Sequence, residues 1–463
     1  MKHVIGLCVA AVMVCGTASA EPESTGNEAA LSARAHEIIR TFSEAHVFQG
    51  VVLMGVDGNV VFEGAYGKAQ YEFDVDNSLD TRFQIASVSK AFTAAAILLL
   101  AEKNQVDLDA PLHQILPDYP NADRLTLDQL LTHTSGIPNI NSFDNYDELQ
   151  LRHYESAASL VEIFKDKPLE FDPGERAAYS NSNYELLAHV IEVVSKMSYA
   201  DFLHANIFEP LKMNDTGHRG DPAAILPRLA SGYAPVGALG FGHARYLDWT
   251  VKTGNGSLYS TVHDLLRFHE ALQGNELLNN KSLERAYGFE HELGSGWSPG
   301  TKFDKRTVTT TGRSPGYVAY FQRFIDEDRC LIVLSNLYLG PPRQMLDALS
   351  ALLVGETPDA VDFALASSSS EIDLGDFAGD YQFGEDWYVG EVTAKVESRK
   401  DHLAVVYKNG KNTGYEFLLV PMGSRTFFDR THGGIVRFEP IQGTTSYRLV
   451  YEYGSTKIAL PID

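Results

Sequence analysis

The sequence predicts an α/β domain with an inserted helical lobe, followed by a small all-β barrel or sandwich. The first observation is that strand-like runs lie near both ends of residues 21–363, whereas helical and loop segments fill the middle. The second is that short apolar segments separated by Gly, Asn and Asp make up residues 372–463. A serine-rich stretch over residues 364–371 lies between the two parts and is interpreted as a linker.

The first part opens with a helix over residues 28–46 and a strand hairpin. Strands are predicted at Val51–Met54 and Val60–Tyr66, because Asp57–Asn59 between them has the composition of a tight turn. A helix then runs from about Ser87 to Lys103. Its apolar part is too short to span a bilayer, so we interpret it as a buried core helix.

Residues 120–300 are mostly helix and loop, and strand patterns return after them. The closing elements of the first part are predicted at Val308–Thr311, Tyr317–Ile325, Cys330–Ser335 and residues 343–354, the last of these a helix. Cys330 lies in an apolar run, which favours a buried strand residue over a catalytic thiol. The C-terminal part has strand candidates at Tyr388–Val389, Leu403–Tyr407, Phe417–Val420, Val436–Phe438, Tyr447–Tyr451 and Lys457–Leu460.

Residues 1–20 have the pattern of a signal peptide. A basic start is followed by the apolar segment Val4–Val14 and the small residues Ala18–Ala20, so we expect cleavage before Glu21 and a secreted or periplasmic protein. The formal net charge of −23 disfavours nucleic acid and anionic membrane surfaces as partners. No later apolar segment is long enough for stable membrane insertion, and the sequence leaves the oligomeric state open.

A serine and a lysine at the start of the apolar helix form the candidate catalytic pair. Ser87 and Lys90 are three residues apart, so on a helix their side chains share a face. Burial beside the apolar helix disfavours the ammonium form and lowers the Lys90 pKa from its reference of about 10.4. A neutral Lys90 can then take the proton of the Ser87 hydroxyl, which is otherwise a poor nucleophile.

Tyr179 and Asn181 are the next candidates, because they follow a turn and begin an amphipathic helix. A phenol there can relay the proton of Ser87 if Lys90 lowers its pKa, and a carboxamide can bind a substrate amide. The alternative is a packed tyrosine and an asparagine that caps the helix.

The end of a predicted strand, Thr310–Tyr317, supplies candidate substrate-binding residues at Thr311, Gly312 and Arg313. Gly312 allows the substrate backbone to approach the strand edge closely. The backbone N–H of Arg313 is positioned to complete an oxyanion hole with the N–H of Ser87.

With these motifs in this order, residues 30–355 resemble the serine β-lactamase and penicillin-binding-protein superfamily. The closest resemblance is to the class C-like branch of esterases, D-aminopeptidases and D-Ala-D-Ala carboxypeptidases. The matching segments are Phe83–Phe92, Leu130–Pro138, Tyr179–Asn181, Pro210–Met213 and Ser260–Phe268. The resemblance implies an antiparallel sheet flanked by helices plus a helical lobe, and an acyl-enzyme mechanism. Residues after 371 resemble the lipocalin-like β-barrel domain often attached to this branch, opening at Asp376–Tyr381.

One position departs from the pattern of this branch, which has Lys or His where this chain has Thr310. That cation holds a substrate carboxylate, so its loss weakens the β-lactamase and carboxypeptidase interpretations more than the esterase and aminopeptidase ones. Arg313 is a candidate replacement for the missing charge. The prediction is therefore a secreted serine hydrolase that acts on an ester or amide carbonyl of a small molecule or peptide.

The alternatives are a β-lactamase, a D-Ala-D-Ala carboxypeptidase, or a penicillin-binding or sensor protein with little turnover. Neither a metal nor a cofactor is expected, because the sequence has no His-Glu-x-x-His run, Cys/His cluster or Gly-rich phosphate loop. His133 is assigned a structural role in its loop, and His263 and His269 are assigned to a capped amphipathic helix.

Overall fold

The computed structural model describes residues 24–361, 363–365, 372–387, 390–407, 415–453 and 455–462. The predicted signal peptide, the serine-rich centre of the predicted linker and the predicted strand Tyr388–Val389 lie outside these residues. The exact domain boundaries therefore stay a prediction. Across the part of the chain that is described, no helix is long and apolar enough to cross a membrane.

The first domain is an α/β structure. Its helices are α1 Ser24–Glu44, α2 Ser89–Glu102, α3 Leu127–Leu131, α4 Tyr146–Leu149, α5 Ala157–Phe164, α6 Asn181–Ser195, α7 Tyr199–Leu203, α8 Val262–Gln273, α9 Asn280–Tyr287 and α10 Arg343–Leu353. Its strands are β1 Gly50–Val56, β2 Asn59–Tyr66, β3 Lys68–Gln70, β4 Val75–Asp76, β5 Phe83–Gln84, β6 Gly217–His218, β7 Tyr233–Val236, β8 Gly240–His243, β9 Leu258–Ser260, β10 Ser298–Lys302, β11 Lys305–Ser314, β12 Tyr317–Phe324 and β13 Arg329–Ser335.

Six of these strands form one antiparallel sheet in the order β10-β11-β12-β13-β1-β2. The hairpin prediction is confirmed, because Val56 pairs with Asn59 across a two-residue turn. Asp57 and Gly58 both have positive φ, at 49° and 73°, which matches the twist that a two-residue hairpin needs. The strand predicted at Val308–Thr311 is longer in the structure, where β11 runs over Lys305–Ser314.

The central strands β1 and β13 are buried on both faces, which explains why they are apolar along nearly their whole length. Val51 and Leu53 point into the core shared with α2 and α8, whereas Val52 and Met54 point into the core shared with α1 and α10. The alternation follows from the two-residue period of a strand. Cys330 is fully buried in β13, as predicted, and burial raises the pKa of its thiol to about 12.

The C-terminal domain is a closed eight-stranded antiparallel barrel, so the sandwich alternative was wrong. Its strands are β14 Gly379–Phe383, β15 Val392–Ser398, β16 Leu403–Tyr407, β17 Tyr415–Pro421, β18 Thr426–Asp429, β19 Ile435–Pro440, β20 Tyr447–Tyr453 and β21 Ser455–Pro461. β14 pairs with β21 and closes the ring. Aromatic side chains fill its interior, with the rings of Phe383 and Trp387 4.1 Å apart.

Candidate active site

Ser87 lies in a tight turn that leads into α2. The turn Ala86–Val88 is a 3-10 helix, and α2 begins at Ser89, so Ser87 precedes the α-helix rather than opening it as predicted. Ala86 has a φ of 45°, a left-handed conformation that costs a non-glycine residue roughly 1–2 kcal/mol. Such local strain is typical of functional sites that the surrounding structure holds in place.

Gly312 of β11 braces this turn from the sheet side. A Cβ atom at Gly312 would lie 2.0 Å from the Ile85 carbonyl oxygen and 2.9 Å from the Ser87 nitrogen. The glycine is therefore needed for strand and turn to touch. The sequence interpretation did not include this packing, and the approach of a substrate backbone to the strand edge at Gly312 stays a prediction.

Lys90 lies in the first turn of α2 and is only 2% exposed. Its Nζ lies 3.1 Å from Ser87 Oγ, 2.8 Å from Asn181 Oδ1 and 2.9 Å from the carbonyl oxygen of Asn255. Burial lowers the pKa of Lys90 to about 7, although the Glu185 carboxylate acts in the opposite direction.

These contacts set the direction of the Lys90 lone pair. A neutral amine has two N–H groups and one lone pair, whereas the oxygens of Asn181 and Asn255 can only accept hydrogen bonds. Both N–H groups are taken by those oxygens, so the lone pair is left for the hydroxyl proton of Ser87. The geometry is that of a base poised on an alcohol.

The Tyr179 hydroxyl lies 3.0 Å from Ser87 Oγ, on the residue before the cap of α6. Tyr179 is 46% exposed, and desolvation raises its pKa to about 12. The sequence interpretation required Lys90 to lower this pKa, and its direction was wrong. Desolvation by burial is the dominant cause of the shift.

His133 supports Tyr179 from behind, in line with the structural role assigned to it. Its ring centroid lies 4.6 Å from that of Tyr179 and 5.2 Å from that of Tyr184. Its Nδ1 accepts a hydrogen bond of 3.1 Å from the backbone N–H of Ser180. Burial and the nearby Lys90 lower the pKa of His133 to about 3, so its ring is neutral at physiological pH.

Asn181, the first residue of α6, is 5% exposed and bonded on both sides. Its Oδ1 accepts from Lys90, and its Nδ2 donates to Asn139 Oδ1 at 3.3 Å. Asn139 Oδ1 also accepts from the backbone N–H of Asn181 at 3.2 Å. Asn181 therefore orients Lys90 as well as lining the cavity beside Ser87.

Three residues that the sequence analysis did not single out complete the polar floor of the site. Asn255, on the loop before β9, accepts from Lys90 through its backbone and donates from Nδ2 to Glu185 Oε1 at 2.7 Å. Glu185 is fully buried, and desolvation raises its pKa. Lys252 is 7% exposed, and burial together with the charge of Lys90 lowers its pKa. In the sequence, only Glu185 could have been noticed, because it is a charged residue within the apolar pattern of α6.

A cavity of about 340 Å³ opens over these residues, which is within the size range of small-ligand sites. β11 forms one wall, and it keeps a free edge there because its pairing with β10 stops at Ser298 and Thr309. The remaining stretch to Ser314 is available for hydrogen bonds with an extended substrate. The lining residues are Ser87, Lys90, His133, Asn141, Tyr179, Asn181, Lys252, Asn255, Leu293, Gly294, Gly296, Trp297, Ser298, Thr310, Thr311, Arg313 and Ser314.

Arg313 reaches the cavity wall, but its charge is directed elsewhere. Its Nη2 donates to the carbonyl oxygens of Thr431 at 2.5 Å and Tyr338 at 3.4 Å, and its guanidinium carbon lies 4.3 Å from the centre of the Tyr338 ring. Arg313 thus joins the first domain to the barrel. Thr310, 5% exposed, leaves its own position on the wall uncharged.

Comparisons with known proteins identify the family. A family model described as Beta-lactamase matches residues 35–356. Over 91% of its length the chain is 29% identical to a penicillin-binding protein of Bacillus subtilis, of which it covers 97%. It is 27% identical over 243 residues to a teichoic acid D-alanine hydrolase of Staphylococcus aureus, which is 52% of this chain and 59% of the relative.

The fold is also similar to that of a D-amino acid amidase from Ochrobactrum anthropi solved with D-phenylalanine. The TM-score is 0.58 at 22% sequence identity, over 67% of this chain and 92% of the amidase. The resemblance stated for residues 30–355 is confirmed by the family match over residues 35–356.

Proposed function

Because the chain belongs to the beta-lactamase family of serine hydrolases, we propose that it hydrolyses an ester or amide through an acyl-enzyme on Ser87. Ser87 Oγ bonds to the substrate carbonyl carbon while its proton passes to Lys90 Nζ, and the carbonyl π electrons move to the oxygen. The backbone N–H groups of Ser87 and Arg313 are the proposed donors to that oxyanion.

Collapse of this intermediate expels the leaving group, which needs a proton. Tyr179 gives its hydroxyl proton to the leaving group as it receives one that originates on Lys90. A concerted relay of this kind never requires a free phenolate, which is consistent with the raised pKa of Tyr179. Water then attacks the acyl-enzyme by the same proton route in reverse, and Ser87 regains its hydroxyl.

The observation that carries this proposal is the hydrogen bonding of Lys90. Two fixed acceptors hold its N–H groups, and burial brings its pKa to about 7. A neutral amine is therefore available beside the Ser87 hydroxyl at neutral pH. The free edge of β11 supports an extended, peptide-like acyl group. Asn141, Asn181 and Thr311 line the cavity and supply side-chain hydrogen bonds to it.

The names of two relatives, a D-amino acid amidase and a teichoic acid D-alanine hydrolase, support an amide or ester of a D-configured residue as the substrate. The uncharged Thr310 disfavours a β-lactamase or D-Ala-D-Ala carboxypeptidase that holds a carboxylate at that position. The same observation motivates the second candidate, a penicillin-binding or sensor protein with little turnover.

We also propose that the protein is exported, with residues 1–20 as the signal peptide. Mass spectrometry of the N-terminus of the protein expressed with its full sequence tests this. A mature chain that begins at Glu21 supports export, and an N-terminus at Met1 contradicts it.

The function is tested with a fluorophosphonate probe and with turnover of nitrophenyl esters and D-amino-acid anilides. We expect one adduct per chain, located on Ser87 by peptide mapping, and turnover that falls by about a thousandfold or more in Ser87→Ala. An equal adduct on Ser87→Ala excludes Ser87 as the nucleophile. An adduct without turnover of any substrate in the panel favours the sensor candidate.

A further inference from the structure

The cavity beside Ser87 has a positive character that the proposed reaction does not use. Among the described residues that line it there is no carboxylate, whereas three carry basic groups: Lys90, Lys252 and Arg313. His133 is neutral because burial lowers its pKa to about 3. The acidic surface of the protein, with its net charge of −23, makes this local excess of basic groups stand out.

Two of the three basic groups are already committed to other partners. Lys90 gives N–H groups to Asn181 and Asn255, and burial lowers its pKa to about 7. Arg313 donates to the Thr431 and Tyr338 carbonyl oxygens.

Lys252 is the uncommitted cation. It ends the 3-10 helix Trp249–Lys252 and is 7% exposed, and its Nζ donates no hydrogen bond to any described residue. Its ammonium lies 5.3 Å from the centre of the Tyr146 ring, a contact that is compatible with a charged group but satisfies none of its three N–H donors. Glu185 interacts with it electrostatically without forming an ion pair, and one Glu185 oxygen is buried without a partner. A buried ammonium in this state favours an anion that enters from the cavity.

We propose that Lys252 recognises a carboxylate of the substrate, so that the preferred substrates are anionic esters or amides. This inference rests on the proposed function, since the carboxylate belongs to the molecule that Ser87 attacks. Lys252 takes its position from the segment before β9, and its backbone carbonyl accepts hydrogen bonds from Asn255 and Gly256 at 3.0 and 2.7 Å. Lys252 is thus held in a fixed position relative to Asn255, which orients Lys90.

Two matched pairs of substrates test this inference. Phenyl acetate and 3-carboxyphenyl acetate place the carboxylate on the leaving group, and nitrophenyl butyrate and nitrophenyl hemisuccinate place it on the acyl group. In the wild type we expect a higher kcat/KM for the charged member of at least one pair. Lys252→Met is expected to lower the ratio of kcat/KM for the charged substrate to kcat/KM for the neutral one by about tenfold to hundredfold. This factor corresponds to the loss of a hydrogen bond to a charged group.

Two variants separate recognition of the carboxylate from damage to the fold. Lys252→Arg keeps the positive charge and is expected to retain most of the preference. Lys400→Met removes a lysine from an exposed position of the barrel and is expected to leave the ratio unchanged. A measurement on the wild type needs no variant: benzoate is expected to inhibit phenyl acetate hydrolysis more strongly than benzamide does.

The inference is overturned if the wild type prefers neither charged substrate and benzoate inhibits no better than benzamide. It is also overturned if Lys252→Met slows both members of a pair equally, because that result assigns Lys252 to the tuning of Lys90. Turnover of the neutral esters that depends on Ser87 keeps the proposed function intact in both cases. Absence of such turnover in the wild type instead overturns the proposed function, and this inference with it.

Discussion

The reactivity proposed for Lys90 depends on a balance between burial and one buried carboxylate. Desolvation lowers the Lys90 pKa, and the charge of Glu185 raises it. Asn255 donates from Nδ2 to Glu185 and accepts from Lys90 through its backbone carbonyl, so a chain of hydrogen bonds connects Lys90 to Glu185. Such an arrangement can bring an amine into the range where it serves as a base at neutral pH.

The pH dependence of turnover should therefore report Lys90. A base must be unprotonated in the free enzyme, so kcat/KM for a neutral ester is expected to rise with pH through a midpoint near 7. Glu185→Gln keeps an oxygen for Asn255 but removes the negative charge that raises the Lys90 pKa, so the midpoint should move to lower pH. Matched profiles with Glu162→Gln, an exposed residue of α5, serve as the control. A midpoint that moves to higher pH in Glu185→Gln contradicts the assignment.

At the scale of elements, the site is built by joining segments that are distant in sequence. The loop that follows α3 is bonded to the start of α6 by side chains: Ser182 Oγ donates to the Pro138 carbonyl at 2.8 Å and accepts from the Ile140 N–H at 2.9 Å. Ser135 Oγ donates to Asn183 Oδ1 at 2.7 Å. Ser135 and Pro138 of the Leu130–Pro138 motif therefore bond to the first turn of α6, directly after Tyr179 and Asn181, and help to hold these two residues over Ser87.

Much of this was predictable from local patterns and some of it was not. Period-two burial, the turn at Asp57 and Gly58 and the apolar run of α2 are local, so the hairpin and the core helix were predicted correctly. The reason for Gly312, by contrast, depends on the Ile85 carbonyl, which reaches it only through tertiary packing. Strands β14, β15 and β18 were not predicted: β14 and β18 are short and depend on their pairing in the barrel, whereas β15 has a period-two burial pattern that the sequence analysis missed.

The contact of β11 with the turn that carries Ser87 gives a prediction at this scale. Gly312→Ala places a Cβ atom 2.0 Å from the Ile85 carbonyl oxygen, which forces strand and turn apart. We expect the free energy of unfolding to fall by about 1–3 kcal/mol. We also expect the fold decrease in kcat to exceed the fold change in KM. Urea denaturation and steady-state kinetics measure the two effects. Gly300→Ala on the neighbouring β10 meets its nearest atom at 3.4 Å and should change neither, and equal behaviour of the two variants would contradict this account.

At the scale of the whole molecule, the barrel and the first domain are joined through buried groups. Phe428 of β18 packs edge-on against Phe363, with ring centroids 5.0 Å apart. Arg430 is fully buried, and its Nη1 donates to the carbonyl oxygens of Gly237 and Gly240 at 2.9 and 3.0 Å. The neighbouring Thr431 accepts from Arg313 on the cavity wall, so the loop that anchors the barrel also reaches the candidate active site.

This arrangement predicts that the two domains unfold together and that Arg430 is required for them to do so. Burial lowers the pKa of Arg430 to about 10, and its guanidinium also lies 5.1 Å from the centre of the Phe241 ring. Arg430→Met leaves the carbonyl oxygens of Gly237 and Gly240 without their donor, which should cost about 2–4 kcal/mol. In calorimetry the wild type should show one transition, whereas Arg430→Met should show a lower Tm or two separate transitions.

Arg448→Met breaks an exposed ion pair with Glu439 on the barrel surface and should cost less than about 1 kcal/mol. If both variants melt alike, Arg430 does not couple the domains, and the link from the barrel to Arg313 has no energetic consequence.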